Sequence, residues 1–596
     1  MNQAHQLSSG SGTTAPAAVI KELSFCKTTA RDLAGWLRDL PKANIGEYSR
    51  QLYMALSELS HLKATPELRL QLLEQLRPEV ARIIRQLEKA HLLNSVILDA
   101  RANRVANLCH SLQHHLNSGY KQAAADLQTK KSGTLVLAIQ RTLHGLFLSL
   151  ARSYLAYRVV PQGLWFEAHQ MYRLISHHGL MSQNVKDPLL ETVQEQTLEE
   201  AYACVLLLGC ARANQMRQGD IKTLVEQLPG WAGLVDIQGV DEPQTVFAVA
   251  LTTDTPPRYR ALLNLEGRSH ILGLNTHRLI EALKPEAQSG GRLPASLLEQ
   301  LASAWGDIAK RGYPRTVTRQ TLELCIGMSA VHFHLAGEKS FEDSMRLEQS
   351  AVSKLQLVPT QPEAPTDVWA MAADAFQEPG SKLDMIDYGT SFATDTQEEE
   401  KRDFSALYPV VSSTVVNQSP GGYCLEWKKD APANLQTGDI LAIRKSASAD
   451  WSIAIIRWIR QNQDSGAQTG VEMLAHKAEP CGAQLLRSGK AASDYLRALR
   501  IPEVTAISRP PQIITAKIPF REGNTVTLNI GGEESRVILG RLVKQTASCS
   551  QFEYEPATTR KPEPAAQPAA QAPLPNSGNR AKVNDPEDFN SLWGTL

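Results

Sequence analysis

From about residue 18 to 230, apolar residues recur at three- and four-residue intervals, the spacing of helices with one buried face. Thr65-Pro66-Glu67 reads as a helix start, with threonine as the cap and proline at the first helical position, and Leu68, Leu72, Leu73 and Leu76 carry the stripe forward. Pro78 is expected to kink that helix or begin a new one, after which Val80, Ile83, Ile84 and Leu87 resume the spacing. Further helices are predicted over 95–126, 134–158, 163–179 and 196–215, with breaks at Pro161-Gln162-Gly163 and His178-Gly179. Consecutive helices of this kind can stack as hairpins in a solenoid, although no fixed-period repeat is present. The stripe Trp165, Ala168, Met171, Tyr172 and Ile175 is read as core.

Between about 230 and 285 the texture changes to strand-like runs, Thr245 to Thr252 and His270 to Leu274, followed by a helix capped by Asn275 or Thr276. Leu293 to Lys310 is helical again. Later come apolar runs separated by turn signals: Val415 to Trp427 around Asn417-Gln418-Ser419-Pro420-Gly421-Gly422, then Gly438 to Arg444, Trp451 to Trp458 and Gly470 to Leu474. They predict a small antiparallel barrel. Ile513 to Pro519, Thr525 to Ile530 and Arg536 to Lys544, turning at Gly531-Gly532, either complete that barrel or form a second. The expected fold class is multidomain α+β: an N-terminal all-α helical scaffold, then a small antiparallel β-barrel, with a disordered insertion and tail. The expected divisions are a leader (1–17), a helical domain (18–230), a small α+β or helical subdomain (231–309), an arginine-bearing segment with the first barrel strand (310–335), a low-complexity insertion (336–409), the barrel (410–500), additional strands (501–555), a Pro/Ala/Gln-rich linker (556–583) and a terminal stripe (584–596). In that stripe Phe589, Leu592, Trp593 and Leu596 share one helical face, suited to a partner's groove or idle as a tail.

The 596 residues include 62 Lys plus Arg and 62 Asp plus Glu, so no global field draws the chain onto nucleic acid or an anionic bilayer, and any anion site must be local. Eight scattered cysteines, without a C-x-x-C pair, suit buried free thiols in a reducing compartment. The N-terminus lacks a secretory signal, and the most apolar stretch, Leu135 to Val160, is interrupted by Gln140, Arg141, His144, Arg152 and Arg158. A cytoplasmic protein without a membrane span is expected. Catalytic signatures are poor. Arg487-Ser488-Gly489-Lys490-Ala491 fails as a phosphate loop, and no G-x-S-x-G elbow is present. His332 and His334 are placed on one face of a strand, where they lack a further ligand at metal-binding spacing. No enzyme, metal or cofactor is expected.

Asn417-x-Ser419-x-x-Gly422 with the later Gly470-Val471-Glu472-Met473 resembles the PilZ domain family, whose barrels carry a [D/N]-x-S-x-x-G motif and a G-V-E-like strand. The family also has R-x-x-x-R before its first barrel strand. Lys401-Arg402 does not fit, whereas Arg311 and Arg315 do, with Arg315 and Arg319 as a second register. The stretch 336–409 then interrupts the barrel. The resemblance implies binding of cyclic di-GMP: Arg311 and Arg315 grip the ligand, Asn417 and Ser419 contact guanine, and Gly422 leaves room for it. Arginine forks suit phosphate oxygens and the guanine O6/N7 edge. A signalling effector acting on a protein partner, through the helical domain or the tail, is implied, with motility, type IV pili or biofilm attachment as outputs. The alternative is a nucleotide-free PilZ-like adaptor.

Overall fold

Side-chain caps start most of the N-terminal helices. Thr29, Asn44, Thr65, Asp99, Ser132 and Thr197 each accept a backbone N–H from the third residue onward, and Thr197 forms a capping box with Glu200. The computed structural model describes residues 19–93, 96–129, 132–267, 269–289, 293–306, 314–346, 407–427, 432, 435–461, 466–486, 493–505 and 508–557. The leader, Arg311, most of the stretch read as an insertion, nearly all of 556–583 and the terminal stripe lie outside them.

The helical region comprises α1 (Ala30–Asp39), α2 (Ile45–His61), α3 (Pro66–His91), α4 (Ala100–Leu127), α5 (Gly133–Leu155), α6 (Leu164–His178), α7 (Leu198–Cys210) and α8 (Gln218–Trp231). A ribbon of β1 (Asn184–Lys186) and β2 (Glu195–Thr197) separates α6 from α7. Of the two outcomes expected at Pro78, a new helix does not occur: α3 runs through it. Leu72, Leu73 and Leu76 before the proline and Val80, Ile83 and Ile84 after it are buried in one core, so packing outweighs the lost hydrogen bond. The helices are not a solenoid either. α5 packs against α3, α4, α6, α7 and α8, a central helix in a bundle. Its length and apolarity would suit a membrane crossing, but most of that apolar stretch is buried by these neighbours.

Beneath α5 lies an ionic knot. Asp187, fully buried, accepts from Arg77 at 2.8 and 2.7 Å and from Gln140 at 3.2 Å, with Arg141 also 3.2 Å away. Arg77 donates to His144 Nδ1 at 2.6 Å. That nitrogen, occupied as an acceptor, does not also donate to Asp187. Burial holds His144 below its ordinary pKa, whereas the Arg77 guanidinium keeps Asp187 far below the usual carboxylate range despite its burial.

Four strands follow: β3 (Asp236–Gly239), β4 (Phe247–Ala250), β5 (Arg258–Tyr259) and β6 (Ile271–Asn275), in the order β3-β6-β4-β5. Asn275 Oδ1 accepts from His277 N at 3.0 Å at the start of α9 (His277–Ser289). α10 (Ala295–Gly306) returns the chain to the bundle, where buried Trp305 donates to the Leu207 carbonyl at 3.1 Å.

The next unit holds β7 (Thr316–Val317), β8 (Thr321–Ile326), α11 (Met328–Leu335), α12 (Phe341–Met345), β9 (Val411–Ser419), β10 (Gly422–Trp427), β11 (Ile440–Arg444), β12 (Ser452–Gln461) and β13 (Ala467–Ala475). Antiparallel pairings run β8-β9-β10-β13-β12-β11 and back to β8, a closed ring with β7 added along β9. Part of the stretch read as an insertion is ordered, since α12 lies within 336–409. His332 and His334 are on α11 and not on a strand, which corrects the shared-face reading. His332 is buried, and His334 shares a hydrogen bond with the Tyr408 carbonyl at 2.8 Å.

A second closed barrel is formed by β14 (Glu479–Leu485), β15 (Leu496–Ile501), β16 (Gln512–Ala516), β17 (Thr525–Ile530), β18 (Glu533–Gln545) and β19 (Cys549–Pro556), ordered β14-β15-β16-β19-β18-β17. Gly531 and Gly532, both at positive φ, make the β17–β18 turn. The expected first-barrel limit at 500 falls inside this ring, because β14 and β15 pair with β17 and β16 and not with β13. One continuous core spans the bundle, the α+β segment and the first barrel. The second barrel has its own core. Between the barrels, α11 residues Met328 and Val331 pack with Ile440, Trp451, Leu499 and Ile514.

The first barrel is bolted to the bundle at the end of β12. Buried Gln461 accepts from Leu98 N at 3.1 Å and donates to the carbonyls of Val96 (2.8 Å) and Ala156 (2.6 Å), and its own N–H bonds the Tyr157 carbonyl at 2.7 Å. Nearby, Arg217 pairs with Asp439 at 2.6 Å and donates to the Thr437 carbonyl at 3.1 Å.

Candidate functional site

β9 and β10 form a tight hairpin in which Ser419 faces Gly422 across the Pro420-Gly421 turn, as the turn residues predict. Asn417 and Ser419 alternate onto one face of β9. Cross-strand partners share a face, so the register lays out the outer surface of the barrel row by row. In one row Val317, Asn417, Cys424, Gly470 and Trp458 are successive partners on β7, β9, β10, β13 and β12. In the next row stand Ser419, Gly422 and Glu472.

Arg315 immediately precedes β7, whose Thr316 pairs with Gln418, so continuing the register brings Arg315 alongside Ser419. It is exposed. Burial raises the Cys424 thiol's pKa, and the Arg315 guanidinium opposes that rise from within electrostatic reach. The arginine is therefore close to the residue paired with Asn417. The intervening chain does not separate the two halves of the motif. Arg319 is exposed in the link from β7 to β8, and Arg311 lies outside the described residues.

Ser419 Oγ makes only a long 3.4 Å contact with the Gly422 carbonyl. Among the described residues, no side-chain hydrogen bond holds the Asn417 amide. Gly422 also has a structural reason for being glycine, beside the expected room for guanine. Its φ is +155°, and a β-carbon there would come within 2.0 Å of the Val471 carbonyl oxygen, so the constraint comes from β13.

The sequence reading did not select Trp458 or Glu472 for the site. A β-carbon on Gly470 would approach Trp458 Nε1 to 1.9 Å, which means that the half-exposed indole lies over this glycine. A register shift between Ile456 and Trp458 brings it to the outer face. Glu472 is bound by Arg457 Nε at 3.1 Å and by Lys544 of the second barrel. The G-V-E run was a signal for Glu472, but the bulge beneath Trp458 has no local signature.

A closed antiparallel barrel with an N-x-S-x-x-G hairpin and an arginine segment seated beside it is a PilZ-type domain, here placed between a helical region and a second barrel. The chain belongs to the family of the FimW cyclic-di-GMP receptors. Residues 31–244 match its N-terminal domain, 246–480 the middle PilZ domain and 481–557 the C-terminal β-barrel domain. The chain is 41% identical over 616 aligned positions to the cyclic-di-GMP receptor FimW of Pseudomonas aeruginosa, covering 98% of each chain.

Proposed function

We propose that this protein is a cytoplasmic receptor for cyclic di-GMP, a binding protein and not an enzyme, with its site on the outer face of the first barrel. The observation that carries this reading is the seating of β7 against β9, which aligns Arg315 with Ser419 across a long intervening segment. The ligand offers two phosphodiesters and two guanines. Arg315, with Arg311 as the partner in the favoured register and Arg319 in the other, supplies guanidinium forks to phosphate or to guanine O6/N7. Asn417 and Ser419 supply hydrogen bonds, and Trp458 offers a ring face for stacking a base. Gly422 keeps the hairpin in the register that presents them.

The strand bearing Trp458 ends at Gln461, bonded to the helical bundle. Ligand that binds one arrangement of the barrel better than another shifts the population of the attached bundle. The bundle surface or the terminal stripe then meets a protein partner, with control of motility, pili or surface attachment as the output.

The test is calorimetric titration of the full chain with cyclic di-GMP, with Arg315→Ala, Ser419→Ala and a cyclic di-AMP control. Each single substitution is expected to weaken binding about tenfold or more, the scale of a lost bidentate contact. A folded wild-type chain that binds no cyclic di-GMP leaves the barrel as an adaptor and ends the receptor reading.

A further inference from the structure

The G-V-E strand carries a residue that the reading above does not use. Glu472 pairs directly with Gly422, which pairs with Ser419. The middle position has no side chain, so Glu472 and Ser419 flank it two strand spacings apart, about 10 Å. Both lie on the same face as Asn417 and Trp458.

The Glu472 carboxylate is aimed by two cations from different parts of the fold: Arg457 holds Oε2 at 3.1 Å, and Lys544, from β18 of the second barrel, holds Oε1. A carboxylate has about four acceptor positions, so two remain for a ligand. The Watson–Crick edge of guanine presents two adjacent donors, N1–H and the N2 amino group, matched to the two oxygens of one carboxylate. Adenine sets an acceptor at N1 and has no N2 amino group, which leaves a carboxylate acceptor facing an acceptor. Enzymes that read an unstacked base use this same edge, and a site built to hydrogen-bond it rejects an analogue lacking the donor.

We propose that Glu472 reads the guanine base of the ligand, and that Lys544 and Arg457 are positioning residues that aim it, so the second barrel takes part in base selection. This rests on the cyclic di-GMP reading. The test compares full-length wild type with Glu472→Met, the milder Glu472→Gln, and Lys544→Met, each checked for unchanged thermal unfolding. Each is titrated with cyclic di-GMP and with its hypoxanthine analogue, which lacks only the N2 amino groups. Wild type is expected to prefer guanine about tenfold or more. Glu472→Met should abolish that preference, and Glu472→Gln and Lys544→Met, the second of which keeps the carboxylate but removes the inter-barrel pair that aims it, should each narrow it.

A preference unchanged in Glu472→Met overturns the inference and leaves the receptor reading standing. Equal weakening of both ligands by Glu472→Met and Lys544→Met, with the preference intact, identifies the glutamate as an inter-barrel latch only. Failure of wild type to bind cyclic di-GMP removes both readings.

Discussion

At the scale of single residues, the largest electrostatic commitment of the molecule is far from the ligand face. Asp187 has no exposed side-chain surface, and its acceptors are filled by Arg77, Gln140 and the nearby Arg141. Asp187→Ala is expected to cost about 3–5 kcal/mol in urea unfolding, because Arg77 is then left buried without its partner. Its pKa is depressed in the fold, so its contribution is full above the ordinary carboxylate range and is lost progressively as pH falls below that range. None of this is legible locally, since Arg77 and Asp187 meet across 110 positions. The hairpin holding Asn417, Ser419 and Gly422 was legible because its turn residues lie within a few positions of one another. Trp458 was not, because its orientation depends on a one-residue bulge.

Among the elements, β12 does two jobs: it presents Trp458 at the barrel face and inserts Gln461 into the bundle. Gln461→Ala leaves the Leu98 N–H and two carbonyls without this partner. The expected loss is about 3 kcal/mol of stability, read from the urea midpoint, with ligand affinity changed by no more than a few-fold. Periodicity identified most of the helices, and turn residues marked the short strands. What they did not reveal was which ring each strand closes. β14 is assigned to the second barrel by its pairing with β17, some forty residues on, and no turn signal specifies so distant a partner. Pro78 begins no new helix for the related reason that tertiary packing overrode local preference.

Across the whole molecule, several histidines are held neutral. Burial lowers His144 and His169, and lowers His110 and His332 to about 4, with His114 and Arg497 respectively adding repulsion. The unfolded chain takes up protons on these groups near pH 6.5 while the fold resists them, so stability rises with pH across this window. Thermal midpoints are therefore expected to fall as pH drops from about 6.5 toward 4, with a shallower slope in His332→Phe.

The unbroken core from the first helices into the first barrel has a consequence for how this protein can be inherited and reused. A gene segment encoding 310–480 alone would produce a barrel whose Gln461 end and apolar flank meet water instead of the bundle. The second barrel, with its separate interior, is a candidate for independent folding. The first barrel is thus no interchangeable cassette. To move between proteins it must travel with its helices, and recombination that cuts between them should yield insoluble chains.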